Sequence, residues 1–144
     1  MSYFWIAVVV LAAVSPLISM MPTRRQRKVA RLRESAALSG LYVELKPLPG
    51  VLEEGQTIAF YGCRRGKQDR SALPALYLHV NDAWRASHGQ WDPLRIEWLA
   101  TLPVPVTAVS EEPGLVGVYW DERGELTDVE LIATALKALL DRSG

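Results

Sequence analysis

The sequence predicts an α+β fold: a single N-terminal transmembrane helix, a basic juxtamembrane helix, then a small, mostly antiparallel sheet with a C-terminal helix packed on it. Residues 1–21 carry no charged side chain, whereas residues 22–33 carry six basic and no acidic ones. Short apolar segments punctuated by proline and glycine follow, and an amphipathic segment ends the chain. The predicted units are an anchor at 1–22, a juxtamembrane helix at 23–40 and a cytoplasmic α+β domain at 41–144.

The uncharged segment Tyr3–Met21 is long enough to cross a bilayer. Its 19 residues would span roughly 28 Å as a helix, close to the ~30 Å hydrocarbon thickness. The run Ile6–Val14 is apolar on every helical face, whereas a soluble helix keeps a polar side. Tyr3 and Trp5 lie where aromatic rings favour the headgroup level. Pro16 is tolerated in transmembrane helices.

Two other interpretations of this segment stay open. A cleaved secretory signal begins with positive residues, but Met1–Trp5 has none, and no clear A-x-A site precedes the basic block. A buried helix of a soluble protein is the third interpretation. The order of apolar and basic residues favours a retained anchor.

Basic residues beside an anchor stay on the cytoplasmic side. They all follow the anchor here, so we expect the N-terminus outside and residues 23–144 in the cytoplasm. The lone Cys63 cannot form an internal disulfide, which suits a reducing compartment. The residues expected at the membrane interface, near anionic lipid headgroups, are Arg24, Arg25, Arg27, Lys28, Arg31 and Arg33.

The net charge of zero conceals a division of charge along the chain. Residues 34–144 hold ten basic and 16 acidic side chains, so this part is acidic with a net charge of −6. Domains that bind nucleic acid are normally basic. The sequence therefore predicts no nucleic-acid partner.

The juxtamembrane segment predicts a second helix. Pro22 disfavours helix at the residue before it, Thr23 can cap a helix over Arg24–Ser39, and Gly40 can end it. One face of this helix is apolar and consists of Val29, Leu32 and Ala36.

Strands are predicted at residues 41–45, 57–61, 75–80, 104–109 and 115–120. Prolines place the fourth of them at a sheet edge, and Asn81-Asp82 marks a turn. Residues 92–102 are ambiguous: Asp92-Pro93 is typical of a helix start, but Leu94, Ile96 and Trp98 also alternate as in a strand. A short helix is favoured.

The last element has the clearest signals. Thr127 and Glu130 have the spacing of a capping box, in which each side chain bonds the other's exposed backbone donor. Leu126 and Leu131 would form the accompanying hydrophobic staple. The stripe expected to pack on the sheet is Ile132, Ala135, Leu136, Leu139 and Leu140.

Cys63 begins a basic loop whose positive charges would lower the pKa of its thiol. A phosphatase-type loop needs arginine six residues later, but that position is Asp69. The P-loop pattern fails because only three residues separate Gly62 from Gly66. The loop is predicted either to be solvated or to contact an anion or a partner through Arg64, Arg65, Lys67 and Arg70.

The sequence contains no motif for metal binding or for a serine nucleophile. His79 and His88 lack a second histidine at ligand spacing, so no metal or cofactor is predicted, and Gly-x-Ser-x-Gly is absent. Trp84, Trp91 and Trp98 recur every seven residues. Core packing is their expected role, and a stacking platform for a partner is the alternative.

The first 45 residues resemble, in organisation only, the small auxiliary subunit of the bacterial preprotein translocase. This resemblance implies a bacterial inner-membrane location. We expect a non-enzymatic, membrane-anchored accessory protein that presents an acidic domain to a protein partner on the cytoplasmic side. The alternative is a small enzyme or ligand-binding domain whose site is not visible as a motif.

Overall fold

The computed structural model describes residues 2–48, 56–66, 74–89 and 93–143. The chain divides into two compact units, residues 1–30 and 31–144. The elements in chain order are α1 (Ser2–Ser19), α2 (Arg24–Leu38), β1 (Tyr42–Lys46), β2 (Ile58–Arg64), β3 (Ala75–Val80), β4 (Ala83–His88), α3 (Pro93–Leu99), β5 (Val106–Glu112), β6 (Leu115–Trp120) and α4 (Leu126–Ser143).

The helix α1 has 18 residues, includes Pro16 and has no buried residue. Its mean hydropathy is 2.0, so it is long and apolar enough to cross a membrane. These properties are compatible with a transmembrane helix and equally with a signal sequence.

The ends of α2 are set by its sequence as predicted. At the start, the Thr23 backbone N–H donates to the Gln26 side chain, and the Gln26 N–H donates to Thr23 Oγ1, which is a reciprocal cap. At the end, Gly40 adopts a φ of 82°, and the Leu41 N–H donates to the Ala36 carbonyl, as in a Schellman motif. The predicted cap and stop are confirmed.

The second half of α2 is part of the core of the second unit. Leu32 and Ala36 are buried there, although the sequence placed them on a juxtamembrane helix lying near headgroups. Their apolar side chains pack in the same cluster as sheet and α4 residues. The helix therefore carries both a basic first half and a core-packing second half.

The six strands of the described residues form one antiparallel sheet in the order β1-β2-β6-β5-β3-β4. The strand β4 was missed by the sequence analysis, although the predicted turn is its signal: Asn81 and Asp82 both have positive φ, which suits a two-residue hairpin. The predicted edge position of β5 is wrong. Pro103 and Pro105 lie before β5 rather than in it, so they leave its ladder intact.

The two faces of the sheet differ. One face packs against α2, α3 and α4 in the main core, with Trp120 and Tyr61 among the largest buried side chains. The other face holds a smaller cluster around Phe60 and Tyr119, whose rings are 4.9 Å apart. Gly62 and Gly117 lie opposite each other beneath the Phe60 ring, and a Cβ at either would collide with it. The glycines therefore let the ring lie flat on the sheet.

The helix α4 begins earlier than predicted, and the predicted capping box is wrong. The Glu125 backbone N–H donates to Asp128 Oδ2 at 2.8 Å, and the Glu125 carbonyl accepts the first helical bond, from the Asp128 N–H. Glu125 is thus the cap residue, two positions before Thr127, because an acidic side chain three residues on can satisfy its N–H. The predicted stripe through Leu136 and Leu139 is buried as expected.

Candidate functional site

One enclosed polar group on the helical face of the sheet consists of Arg65, Glu111 and Arg95. Arg65 directly follows β2, and its backbone N–H donates to the Gly114 carbonyl. Its Nη2 donates to Glu111 Oε1 at 2.8 Å. Arg95, on α3, contacts the same oxygen through Nη2 at 3.1 Å. Two arginines from different elements therefore meet one carboxylate of β5.

This cluster is a buried ion pair with a surplus cation. The Arg65 side chain is 2% exposed and that of Glu111 is 7% exposed. Removing each charge from water costs several kcal/mol, on the order of what a close ion pair gains back in the low-dielectric interior. The Arg65 Nε has no hydrogen-bond partner among the residues that the structure describes. The arrangement fixes the end of β2 against β5 and α3, and its carboxylate is neutralised by two neighbours.

Of the two alternatives predicted for the basic loop, the solvated one is wrong for Arg65, because this residue is buried. A charged run beside a turn favours exposure, but alternation along β2 turns Arg65 toward the helical face while Arg64 stays exposed. The structure therefore separates these two members of the predicted anion or partner contact. The other two, Lys67 and Arg70, lie outside the described residues.

A second polar cluster joins α2 to the sheet. Arg33 binds Glu122 in a two-pronged pair, with Nε to Oε2 at 2.9 Å and Nη2 to Oε1 at 2.7 Å. The Tyr61 hydroxyl donates to the same Oε2 at 2.7 Å. Glu122 is buried and has a φ of 59°, a conformation that costs a non-glycine residue energy. The turn after β6 thus aims its carboxylate into the fold.

This cluster changes the pKa of two of its members. The hydrogen bond to Glu122 raises the pKa of Arg33, with burial opposing it. Burial raises the pKa of Tyr61 strongly, and the hydrogen bond to Glu122 adds to this effect. Both groups therefore hold their protons at neutral pH, and the charges are those of an arginine–carboxylate pair bridged to a neutral phenol.

Arg33 thereby differs from the other residues predicted at the membrane interface. Its side chain is 39% exposed and committed to Glu122. Lys28 is half-buried, and the remaining members of the set are exposed, namely Arg24, Arg25, Arg27 and Arg31. Sequence reasoning could not separate Arg33 from them, because its partner lies 89 positions away.

Cys63 lies within β2 and is buried. Burial raises the pKa of its thiol, and the positive charge of Lys137 only partly opposes this. The sequence analysis expected adjacent arginines to lower this pKa. They do not: Arg64 points to the opposite face of the strand, and the charge of Arg65, on the same face as Cys63, is paired with Glu111. A protonated, enclosed thiol is a poor nucleophile.

Two of the three predicted tryptophans, Trp84 and Trp98, lie in the described residues, and both pack against other side chains or backbone. Trp98 is buried and donates its Nε1–H to the Ala135 carbonyl at 2.7 Å. Trp84 is half-buried and stacks on His79 with ring centres 4.8 Å apart. Trp91 lies outside the described residues. Within the part of the chain that the structure describes, no three His, Cys, Asp or Glu side chains are grouped so that they could hold a metal ion.

A groove of about 360 Å³ lies between α3 and α4. Its lining is mainly apolar and includes Trp98, Leu131 and Ala138, with Glu97 and Arg142 as its charged members. Leu131 is 50% exposed. Because α4 begins at Leu126, Leu126 and Leu131 do not occupy the two positions of the predicted staple. No sequence pattern predicts this groove, because it depends on how two helices distant in sequence lie side by side.

Among the described residues, the buried charged side chains Arg65, Glu111 and Glu122 lie in ion pairs, while the apolar helix α1 and a groove between α3 and α4 are exposed. Comparisons with known proteins found no family model, no curated protein and no solved structure that matches this chain.

Proposed function

We propose that this chain is a membrane-anchored accessory or interaction protein of the bacterial inner membrane, which presents an acidic α+β domain to a protein partner on the cytoplasmic side. The observation that carries the proposal is α1, an 18-residue apolar helix with none of its residues buried. Basic residues begin at Arg24, five positions after α1 ends. That order of apolar helix and positive flank directs the following domain to the cytoplasm.

The structural contacts of the buried polar side chains favour a role in protein interaction rather than in catalysis. Glu111 and Glu122 each bind arginine, and Cys63 is enclosed with a raised thiol pKa. A catalytic group needs an accessible site and a suitable protonation state. These side chains instead stabilise the positions of α2, α3 and β2.

The charge of the domain favours a basic partner surface. Acidic side chains are exposed on several elements of the second unit: Glu44, Asp82, Glu97, Glu112, Asp121, Glu125, Glu130 and Asp141. Charges at the rim of an interface mainly raise the association rate and set specificity. The basic exceptions, such as exposed Arg64, remain candidates for an anion or acidic-partner contact.

The topology is tested with reporters fused after Gly144. A reporter active only in the cytoplasm should work there, and one active only in the periplasm should not. The matched control carries lysines at positions 2 and 3 and glutamine at Arg24, Arg25, Arg27 and Lys28. If the wild-type fusion is active only in the periplasm, the orientation is wrong.

The partner is tested by cross-linking the intact chain in membranes, with α1 replaced in a second strain by an unrelated apolar helix of equal length. If α1 is only an anchor, both chains should capture the same protein. Capture should fall with added salt, because exposed charges are screened beyond about 8 Å at physiological ionic strength. Capture that is insensitive to salt would contradict the role given to the acidic surface.

A second candidate function is a small enzyme or ligand-binding domain. The groove between α3 and α4 favours it, since apolar clefts of about 300–1,000 Å³ are the usual small-molecule sites. Native mass spectrometry of the intact chain would reveal a bound compound. Ala138→Trp, which fills the groove, should remove it, whereas Ala37→Trp on the exposed side of α2 should not.

A further inference from the structure

The strand β1 is at one end of the sheet, with β2 on its inner side. Among the described residues, no strand pairs with its outer side. A strand edge offers a row of backbone N–H and C=O groups to another strand. Leu45 on this edge is 53% exposed and Tyr42 is 40% exposed, so β1 also offers apolar surface.

The opposite edge is built differently. The pairing of β4 with β3 is irregular, with a register shift between Leu76 and Tyr77, and such bulges twist an edge away from intruding strands. The pairing of β1 with β2 is regular over all five residue pairs, from Tyr42 with Gly62 to Lys46 with Ile58. Of the two edge strands, β1 is therefore the more regular and the better suited to pair with a further strand.

The charges of β1 are complementary to a second β1 in one antiparallel register. Glu44 and Lys46 lie on one face of the strand, and Leu45 lies between them on the other. If two copies align antiparallel with Leu45 opposite Leu45, each Glu44 lies opposite a Lys46. Centring the pairing on Glu44 or on Lys46 would place like charges opposite each other, which disfavours those registers.

We propose that β1 is a self-association edge, at which a second copy of this chain adds its own β1 antiparallel and in the register centred on Leu45. The two-fold axis lies perpendicular to the sheet at Leu45, so both copies contribute the same surface. This pairing makes one continuous sheet from two chains and covers the exposed Leu45 side chains. It is an inference beyond the proposed anchoring role and does not depend on it.

The side chains on this edge are already held along the strand. The Tyr42 hydroxyl donates to Glu44 Oε2 at 2.6 Å. The Lys46 ammonium lies 4.0 Å from the centre of the Phe60 ring and 4.0 Å from Glu44 Oε2. These contacts order both charges before a second chain arrives, which lowers the entropy cost of pairing.

A single engineered cysteine tests the register. Residues directly opposite in an antiparallel pair have Cα atoms about 4.5–5.5 Å apart, which is within the range of a disulfide, about 4.4–6.8 Å. Oxidation of the full-length Leu45→Cys chain in detergent should therefore give a disulfide-linked dimer. Cys63 is buried, so the unmodified chain is the background. Ser87→Cys, exposed on β4, is the matched control and should give several-fold less dimer.

A charge exchange separates pairing between chains from contacts within one chain. In the Leu45→Cys chain, Glu44→Lys alone and Lys46→Glu alone should each lower the dimer yield several-fold, because like charges then lie opposite each other. Mixing these two differently tagged variants should restore the yield as a heterodimer, since every opposite pair is again one lysine and one glutamate. The Glu44–Lys46 contact within each chain is absent from both variants and cannot explain the recovery.

The proposal is overturned if Leu45→Cys cross-links no better than Ser87→Cys, or if the mixture yields no more dimer than either charge variant alone. Cross-linking of Leu45→Cys in whole membranes only to a different protein would also overturn it, in favour of a foreign strand on this edge. The comparison of Leu45→Cys with Ser87→Cys uses an otherwise native chain. It therefore tests self-association at β1 even if a charge variant folds poorly.

Discussion

Two basic stretches of this chain look alike in sequence and differ in the structure. In the first, Arg24, Arg25 and Arg27 are exposed, as the proposed contact with lipid headgroups requires. In the second, Arg65 follows exposed Arg64 but is itself buried against Glu111. The density of positive charge does not distinguish the two cases. What distinguishes them is a carboxylate supplied by a distant part of the chain.

The distances along the sequence make this clear. Arg65 and Glu111 are 46 positions apart, and Arg33 and Glu122 are 89 apart. A buried guanidinium needs such a partner to offset its lost hydration, whereas an exposed one keeps its water. We therefore expect substitutions at the two stretches to change the free energy of unfolding differently, as measured by urea titration of the full chain in detergent.

The largest effect is expected from Arg65→Ala. It removes one partner of a buried pair, a change that typically costs about 3–5 kcal/mol. Because Glu111 would keep Arg95, we expect the lower end, about 3 kcal/mol. The neighbouring Arg64→Ala is the control and should change stability by less than about 0.5 kcal/mol. Equal effects of the two substitutions would contradict the difference drawn between them.

Arg33→Ala should cost about 1–2 kcal/mol. Hydrogen bonds to charged groups contribute about 1.5–3 kcal/mol, but the Arg33 side chain is 39% exposed, so solvent screening lowers its share. Arg31→Ala, two residues away and exposed, should be nearly neutral. If Arg31 and Arg33 behave alike, the pair with Glu122 contributes nothing to stability.

Tyr61→Phe should cost about 1–2 kcal/mol at pH 8, since Glu122 loses one donor. Burial raises the pKa of Tyr61 above its usual value of about 10. A raised pKa in the folded state means that this stabilisation is present below about pH 10 and is lost as the pH rises further. The variant should therefore lose stability less steeply than wild type above pH 10. Parallel stability curves would show that Tyr61 ionises as easily in the folded chain as in the unfolded one.

At the start of α4, Asp128→Ala should cost about 1 kcal/mol, because the Glu125 backbone N–H loses its acceptor. Thr127→Ala should have little effect, since the observed cap uses a different pair of residues. A larger loss of stability with Thr127→Ala than with Asp128→Ala would instead support the predicted capping box of Thr127 and Glu130.

The smallest effect on stability is expected where all four flanking residues Arg24, Arg25, Arg27 and Lys28 become glutamine. They precede the second unit, so its free energy of unfolding should change by less than about 0.5 kcal/mol. The same substitutions should lower the fraction of chains with a cytoplasmic C-terminus. A large loss of stability without a change in topology would show that the first basic stretch stabilises the fold and does not set the orientation.

Local patterns predicted much of the fold. The cap at Thr23, the stop at Gly40, the strands β3 and β6 and the buried stripe of α4 follow from short-range spacing, and all are observed. The short helix favoured for the ambiguous segment is confirmed as α3, Pro93–Leu99. These features depend on residues within a few positions of one another, where propensity and hydrogen bonding act directly.

The sequence by itself determined the apolar helix, the charge division and the α+β class, because periodicity and composition are local properties. Only the tertiary structure decided that β5 is central, that Arg33 and Arg65 are paired and that α3 and α4 form a groove. Strand order and ion pairing depend on which distant elements meet in the core. The cost of burying a charge is then set by those neighbours, and no local pattern encodes them.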